Sequence, residues 1–168
     1  VSDLPLSRPL QVSAVPPEGL EFEVVPTEEE RKALAAFNED VISIENFVAK
    51  LHVTPLGRAG LRARGALEAA ATRPCSVTLE VFSEVVAEEI DVRFIPGASP
   101  DDLRDDAPEP LEGGEVDLGA IVGEFFTLGL DPYPRKPGVV FDPPSDGAPE
   151  SPFAVLKALA KDDPKRDS

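Results

Sequence analysis

FVAKLHVTPLGRAGLRARGALEAAAT, residues 47–72, is the stretch that decides the fold. Phe47, Ala49, Leu51 and Val53 alternate with Val48, Lys50, His52 and Thr54. After the turn PLGRAG, Leu61, Ala63, Gly65, Leu67 and Ala69 alternate with Arg62, Arg64, Ala66 and Glu68. A period of two sends every second side chain to one face of a strand, so the two runs predict a long antiparallel β-hairpin with one oily face. If Val53 lies opposite Leu61, antiparallel partners keep a constant sum of positions, which sets His52 against Arg62 and Lys50 against Arg64. Like charges directly opposite one another destabilise a strand pair, so the polar face calls for an anion. With Arg58 in the turn and Arg73 at the strand end, residues 50–73 hold five Lys or Arg against one acid, Glu68.

Outward from the hairpin, Leu20, Phe22 and Val24 alternate with Glu21 and Glu23, which predicts a half-exposed strand. A preceding strand at about Leu10–Val15 is expected, joined to it through PPEG. Thr27 and Glu30 form a capping box after Pro26, and the spacing of Leu34, Phe37 and Val41 predicts a helix over about 28–38. Downstream, Val77, Leu79 and Val81 suggest a short strand, and Ile90, Val92 and Phe94 a longer one reaching Pro96. Asp117 is placed to N-cap a helix whose stripe of Leu118, Ile121, Val122, Phe125 and Leu128 would cover the oily sheet face before Gly129 and Pro132 stop it.

Two stretches break this pattern. Pro96–Gly114 holds six carboxylates against Arg104, with Leu103 and Leu111 its main apolar residues, and is expected to be a mobile acidic loop. Seven prolines between Pro132 and Pro152 predict an extended arm, since proline lacks the N–H a ladder needs. Ser151 and Pro152 could start a short tail helix over 152–161. The expected class is α+β: a mainly antiparallel sheet built around the hairpin, with an amphipathic helix on one face and flexible acidic or Pro-rich segments outside. One domain over 1–142 is expected, with its core at about 10–131 and a mobile loop at 97–115, followed by a flexible tail over 143–168.

Sixteen Lys and Arg against 32 Asp and Glu give 168 residues a formal charge of -16. No run of about 18 apolar residues exists and the first residues show no basic segment followed by an apolar one, so neither a membrane span nor a signal peptide is expected. One Cys and one His exclude an internal disulfide and a four-ligand zinc site built from those residues. The glycine-rich phosphate and dinucleotide loops are absent. A Cys-dependent enzyme would need His52 to converge on Cys75. The aspartates of the acidic loop lack EF-hand spacing around a central glycine. No catalytic residue, metal ligand or cofactor is therefore expected. Two binding sets remain. Lys50, His52, Arg58, Arg62, Arg64 and Arg73 could meet RNA phosphates, unless the 97–117 loop folds over and neutralises them. Asp101, Asp102, Asp105 and Asp106 could hold a basic partner.

GLRARGALEAAATRPCSVTLEVFSEVVAEEIDVRFIP, residues 60–96, resembles the core signature of the YceD family, the bacterial large ribosomal RNA subunit accumulation proteins. That signature is a strand into a Cys, a TLE turn, and a further strand ending near a Pro. EVDLGAIVGEFFTLGLDPYPRKPG is similar to the second block of the family, and SPFAVLKALAK to its C-terminal ending. The second Cys of many members is absent here, where Ser76, Val77 and Thr78 follow Cys75, as in a single-Cys branch often seen in alphaproteobacteria. The resemblance implies a non-enzymatic, cytoplasmic factor that supports synthesis, processing or stability of large-subunit rRNA. The implied partner is a ribosomal protein or a pre-50S particle, or large-subunit rRNA itself, and no site residue carries over. A general acidic interaction module unrelated to ribosomes is the alternative.

Overall fold

The oily face of the hairpin is where the fold assembles. In the computed structural model, which describes residues 5–99, 104 and 107–140, the order is β1 (Pro9–Gln11), a single 3-10 turn, β2 (Leu20–Val24), α1 (Glu28–Phe37), β3 (Ser43–Leu56), β4 (Gly60–Pro74), β5 (Val81–Ile95), β6 (Glu109–Pro110), β7 (Glu115–Asp117) and α2 (Leu118–Gly129). One sheet runs β2-β3-β4-β5-β6, antiparallel except for the β5/β6 pair, and β1 pairs with β7 apart from it. The class is α+β, as the alternation predicts. The chain divides into two units, Val1–Pro137 and Gly138–Ser168. All elements described here belong to the first, and the expected helix over 152–161 lies outside the described residues.

The hairpin is longer than its alternating core. Its strands are in register at Val53 with Ala63 and Pro55 with Leu61, so the expected register is displaced by two residues. Pro55 and Leu56 belong to the ladder, and only Gly57, Arg58 and Ala59 make the turn, with Gly57 in the left-handed region at φ 64°. At the other end a bulge between Glu45 and Val48 shifts the register. Asn46 takes φ 50° there, and the extra residue lets Ile44 and Phe47, three apart in sequence, both turn inward and become buried.

Helix α2 covers this face, though not with the expected stripe. Leu118, Val122 and Phe126 are fully buried, the Phe126 ring lying 5.4 Å from that of Phe47. Ile121 and Phe125 are only half-buried, and Leu128 is 81% exposed. Glycine explains the rotation. A Cβ on Gly119 would lie 2.6 Å from the Arg8 backbone nitrogen, so the bare side of the helix rests against the N-terminal chain. Asp117 fixes this junction, its carboxylate accepting hydrogen bonds from Ala120 N–H at 3.0 Å, Arg8 N–H at 2.7 Å and the Ser7 hydroxyl at 2.6 Å.

Other expectations change as well. Cys75–Glu80 is a turn and not a strand: Cys75 N–H donates to the Glu80 carbonyl at 2.8 Å, Leu79 N–H to the Cys75 carbonyl at 2.9 Å, and Leu79 adopts φ 61°. The longer strand expected through Ile90, Val92 and Phe94 is β5, which begins already at Val81. The acidic stretch is tied down at its far end, where Glu109 and Pro110 pair with Phe94 and Ile95 and Leu111 is buried. The start of the Pro-rich stretch is held as well, since Ser76 N–H donates to the Pro134 carbonyl at 2.7 Å. Leu10 forms part of β1, but the strand is short and its partner is β7, not β2.

Helix α1 carries the capping box read from Thr27 and Glu30. Glu30 also binds the Arg8 guanidinium at 2.7 and 2.9 Å. The Arg8 hydrogen bond, aided by Thr27, lowers the Glu30 carboxyl from 4.5 to about 2. A carboxylate depressed by folding contributes stability that is complete above its unfolded pKa and lost as pH falls through the folded one. Glu30→Gln is therefore expected to be less stable than the parent at neutral pH. It should also lose less stability than the parent between pH 4.5 and 2, as read by urea midpoints across that range.

Candidate functional site

One face of the main sheet is covered and the other open. Because partners in register share a face, the open side gathers Glu21 and Glu23 from β2, Lys50 and His52 from β3, Arg62 and Arg64 from β4, and Asp91 from β5. The displaced register sets His52 opposite Arg64, Thr54 opposite Arg62 and Lys50 opposite Ala66. Only one of the two expected like-charge crossings is left in any form. The anion this face calls for comes from the next strand. Arg62 grips Asp91 in a fork, with Nε and Nη2 donating at 2.8 and 2.7 Å, and Arg64 Nε lies 3.4 Å from the same carboxylate. The Arg62 hydrogen bond, then the charges of Arg62, Arg64 and Arg93, hold the Asp91 carboxyl below its usual range. On the β2 side, Glu21 is in register with His52 and 2.6 Å from its Nδ1, and Glu23 is in register with Lys50.

Of the six candidate basic residues, the structure brings Lys50, His52, Arg62 and Arg64 onto one face and leaves Arg58 exposed in the turn. Arg73 does not join them. It lies on the covered face, 4% exposed, where Nη1 donates to Glu84 at 2.6 Å and to the Asp131 carbonyl at 2.8 Å. Parity is the reason: counting along β4, Arg73 falls with Leu67, Ala69 and Ala71, not with Arg62 and Arg64. Asp101, Asp102, Asp105 and Asp106 lie outside the described residues.

His52 and Cys75 are not brought together. His52 pairs with Arg64, so Cys75 is eleven residues farther along β4, about 35 Å at the usual rise of a strand. Cys75 is buried, and its sulfur accepts the Lys136 N–H at 3.4 Å. That hydrogen bond, with others from Thr78, lowers the thiol to about 7. Among the described residues no three His, Cys, Asp or Glu side chains converge to hold a metal ion, and no helix is long and apolar enough to cross a membrane.

A second feature was not read from the sequence. A groove of about 570 Å³ runs beside β5, lined by Asp91 and Arg93 from that strand, Glu109 from β6 and Ile121, Glu124, Phe125 and Leu128 from α2. Burial, and then the neighbouring Glu109, push the Glu124 carboxyl up. Spacing along α2 sets Glu124 with Ile121 and Leu128 on the side away from the core, but only the rotation imposed by the glycines aims that side at β5.

An open charged sheet face and a groove lined by three carboxylates and two arginines are the main surface features of this α+β scaffold. Comparison with known families supplies the rest. The model of the large ribosomal RNA subunit accumulation protein YceD family matches residues 63–160, from β4 past the end of α2, which is more than half of the sequence, and the chain belongs to that family. Its name ties the chain to accumulation of large-subunit ribosomal RNA. No curated protein and no solved structure matches the chain.

Proposed function

We propose that the protein is a non-enzymatic factor of large ribosomal subunit biogenesis in the bacterial cytoplasm, and that it supports synthesis, processing or stability of 23S rRNA by holding a basic ribosomal protein. The observation that carries this reading is the convergence of Arg62 and Arg64 on Asp91. The basic face is neutralised within the sheet, and a body of charge -16 repels RNA at long range while attracting basic proteins.

The test is affinity capture from lysate with and without RNase. A basic ribosomal protein should stay bound after RNase, and its binding should weaken as salt rises from about 50 to 500 mM, where the Debye length shrinks from roughly 14 to 4 Å. Replacing Asp101, Asp102, Asp105 and Asp106 by Asn should weaken it further. Loss of every ribosomal partner on RNase treatment would transfer the role to direct RNA contact. That second reading has exposed Arg58 and Lys50 in its favour, and it requires Arg62→Ala with Arg64→Ala to abolish ultraviolet crosslinking to rRNA precursors.

A further inference from the structure

Strand β5 has a full-length partner on one side only. Val81 to Phe94 are all in register with β4. On the other side, among the described residues, the sole strand is β6, which reaches only Phe94 and Ile95. Val81–Arg93 therefore presents thirteen residues of strand edge, about 43 Å of it, to whatever comes alongside. Such an edge is a template for another extended chain, and sheets ordinarily block it with proline, a bulge or charge. The β5 segment contains no proline and pairs with β4 without a register shift. What it carries is mainly negative charge, at Glu84, Glu88, Glu89 and Asp91, with Arg93 as its one cation.

Two of these acids are already answered, Glu84 by Arg73 and Asp91 by Arg62. Glu88 and Glu89 form no ion pair among the described residues. The groove beside the edge adds Glu109 and Glu124, also without an ion pair there, and between them the half-buried Phe125 and the exposed Leu128. Arg62 and Arg93 line the same groove, and burial, ahead of the neighbouring Glu109, raises the Glu124 carboxyl.

We infer that the β5 edge is the docking site for an extended basic segment of a partner protein, which adds as a strand along Val81–Arg93 and sets Lys or Arg side chains against Glu88, Glu89, Glu109 and Glu124. This rests on the reading that the partner is a basic protein, and specifies where and how it is held. The backbone ladder gives affinity without demanding one sequence, and the carboxylates select the charge. A second copy of this chain fits poorly, because each β5 edge carries four carboxylates against the single Arg93, and pairing two of them would set mostly like charges together. The other outer strand of the sheet, β2, is only five residues long.

The test uses the full chain and synthetic ten-residue peptides in which lysine alternates with threonine. One peptide is unmodified, one is N-methylated at its odd residues and one at its even residues, since each methylated set removes the N–H groups from one edge only. The unmodified peptide should bind and slow hydrogen exchange within Val81–Arg93. One methylated peptide should bind at least tenfold more weakly and the other nearly as well as the parent. Glu88→Gln with Glu89→Gln should weaken binding at least fivefold without lowering Tm, and a glutamate–threonine peptide should not bind. Equal binding of the two methylated peptides, protection centred on β2 or on the β3/β4 turn, or self-association through β5 in sedimentation would overturn the inference. Peptide binding and ribosomal capture are separate readouts. Capture of a ribosomal protein with no peptide binding refutes the edge and leaves the functional reading standing, and peptide binding without capture does the reverse.

Discussion

Gly65→Ala is expected to cost about 3 kcal/mol or more, a large share of the roughly 5–15 kcal/mol that keeps a domain folded. Gly65 sits in mid-hairpin opposite Leu51. A Cβ built there would lie 1.9 Å from the Lys50 carbonyl oxygen and 2.9 Å from the Leu51 Cα. Both contacts are with backbone, so no side chain can swing aside, and relief requires β3 and β4 to part. The substitution also adds a methyl group of ordinary hydrophobicity and would pass for a conservative change at an apolar position. Urea unfolding followed by far-ultraviolet circular dichroism measures the cost, and a midpoint equal to that of the parent would show that β3 and β4 can separate locally without loss of the sheet.

Arg73→Ala is expected to cost about 3 kcal/mol, because it leaves the half-buried carboxylate of Glu84 without its cation. Glu84 is 16% exposed and also accepts the Asp131 N–H at 3.1 Å, while Arg73 donates to the Asp131 carbonyl. The pair thus clamps both backbone polar groups of Asp131, the second residue beyond the end of α2, and losing it frees the helix that covers the core. The pair is not ideal, since Arg73 Nε is buried with no hydrogen-bond partner. Arg73→Met combined with Glu84→Met removes both charges and fills similar volume, so the double variant should be more stable than Arg73→Ala alone. A double variant as unstable as the single one would mean that the bonds to Asp131, and not the orphaned charge, carry the cost.

Both residues show how far the sequence could be read. Local alternation and capping were legible: Phe47 to Val53, Leu61 to Ala69 and the Thr27–Glu30 box form what their pattern implies, because a neighbour or two along the chain settles them. The family, too, was legible from the blocks around Cys75 and Leu118. Register was not, since it depends on where a turn ends. Assigning Pro55 and Leu56 to the turn displaced the hairpin by two, and reading Val77–Val81 as a strand hid the Cys75–Glu80 turn that sets β5 against β4. Without that second register Asp91 could not be recognised as the partner of Arg62 and Arg64. Charge alone groups Arg73 with the exposed arginines, whereas its parity along the strand assigns it to the buried side. The groove at Glu109 and Glu124 depends on the rotation of α2, which Gly119 sets through a contact more than a hundred residues away in the chain.

The separation between the sheet and its cover also has a consequence in time. Strands β3, β4 and β5 are consecutive and antiparallel, so each can pair as soon as it leaves the ribosome, but the helix that shields Leu51, Leu67 and Ile90 ends only at Gly129, 34 residues after Ile95. At roughly 5–20 residues per second a nascent chain would carry a formed sheet with a naked apolar face for about 2–7 s. A translational pause between codons 96 and 129 lengthens that exposure directly, whereas a pause before codon 60 does not, because no face yet exists to be exposed.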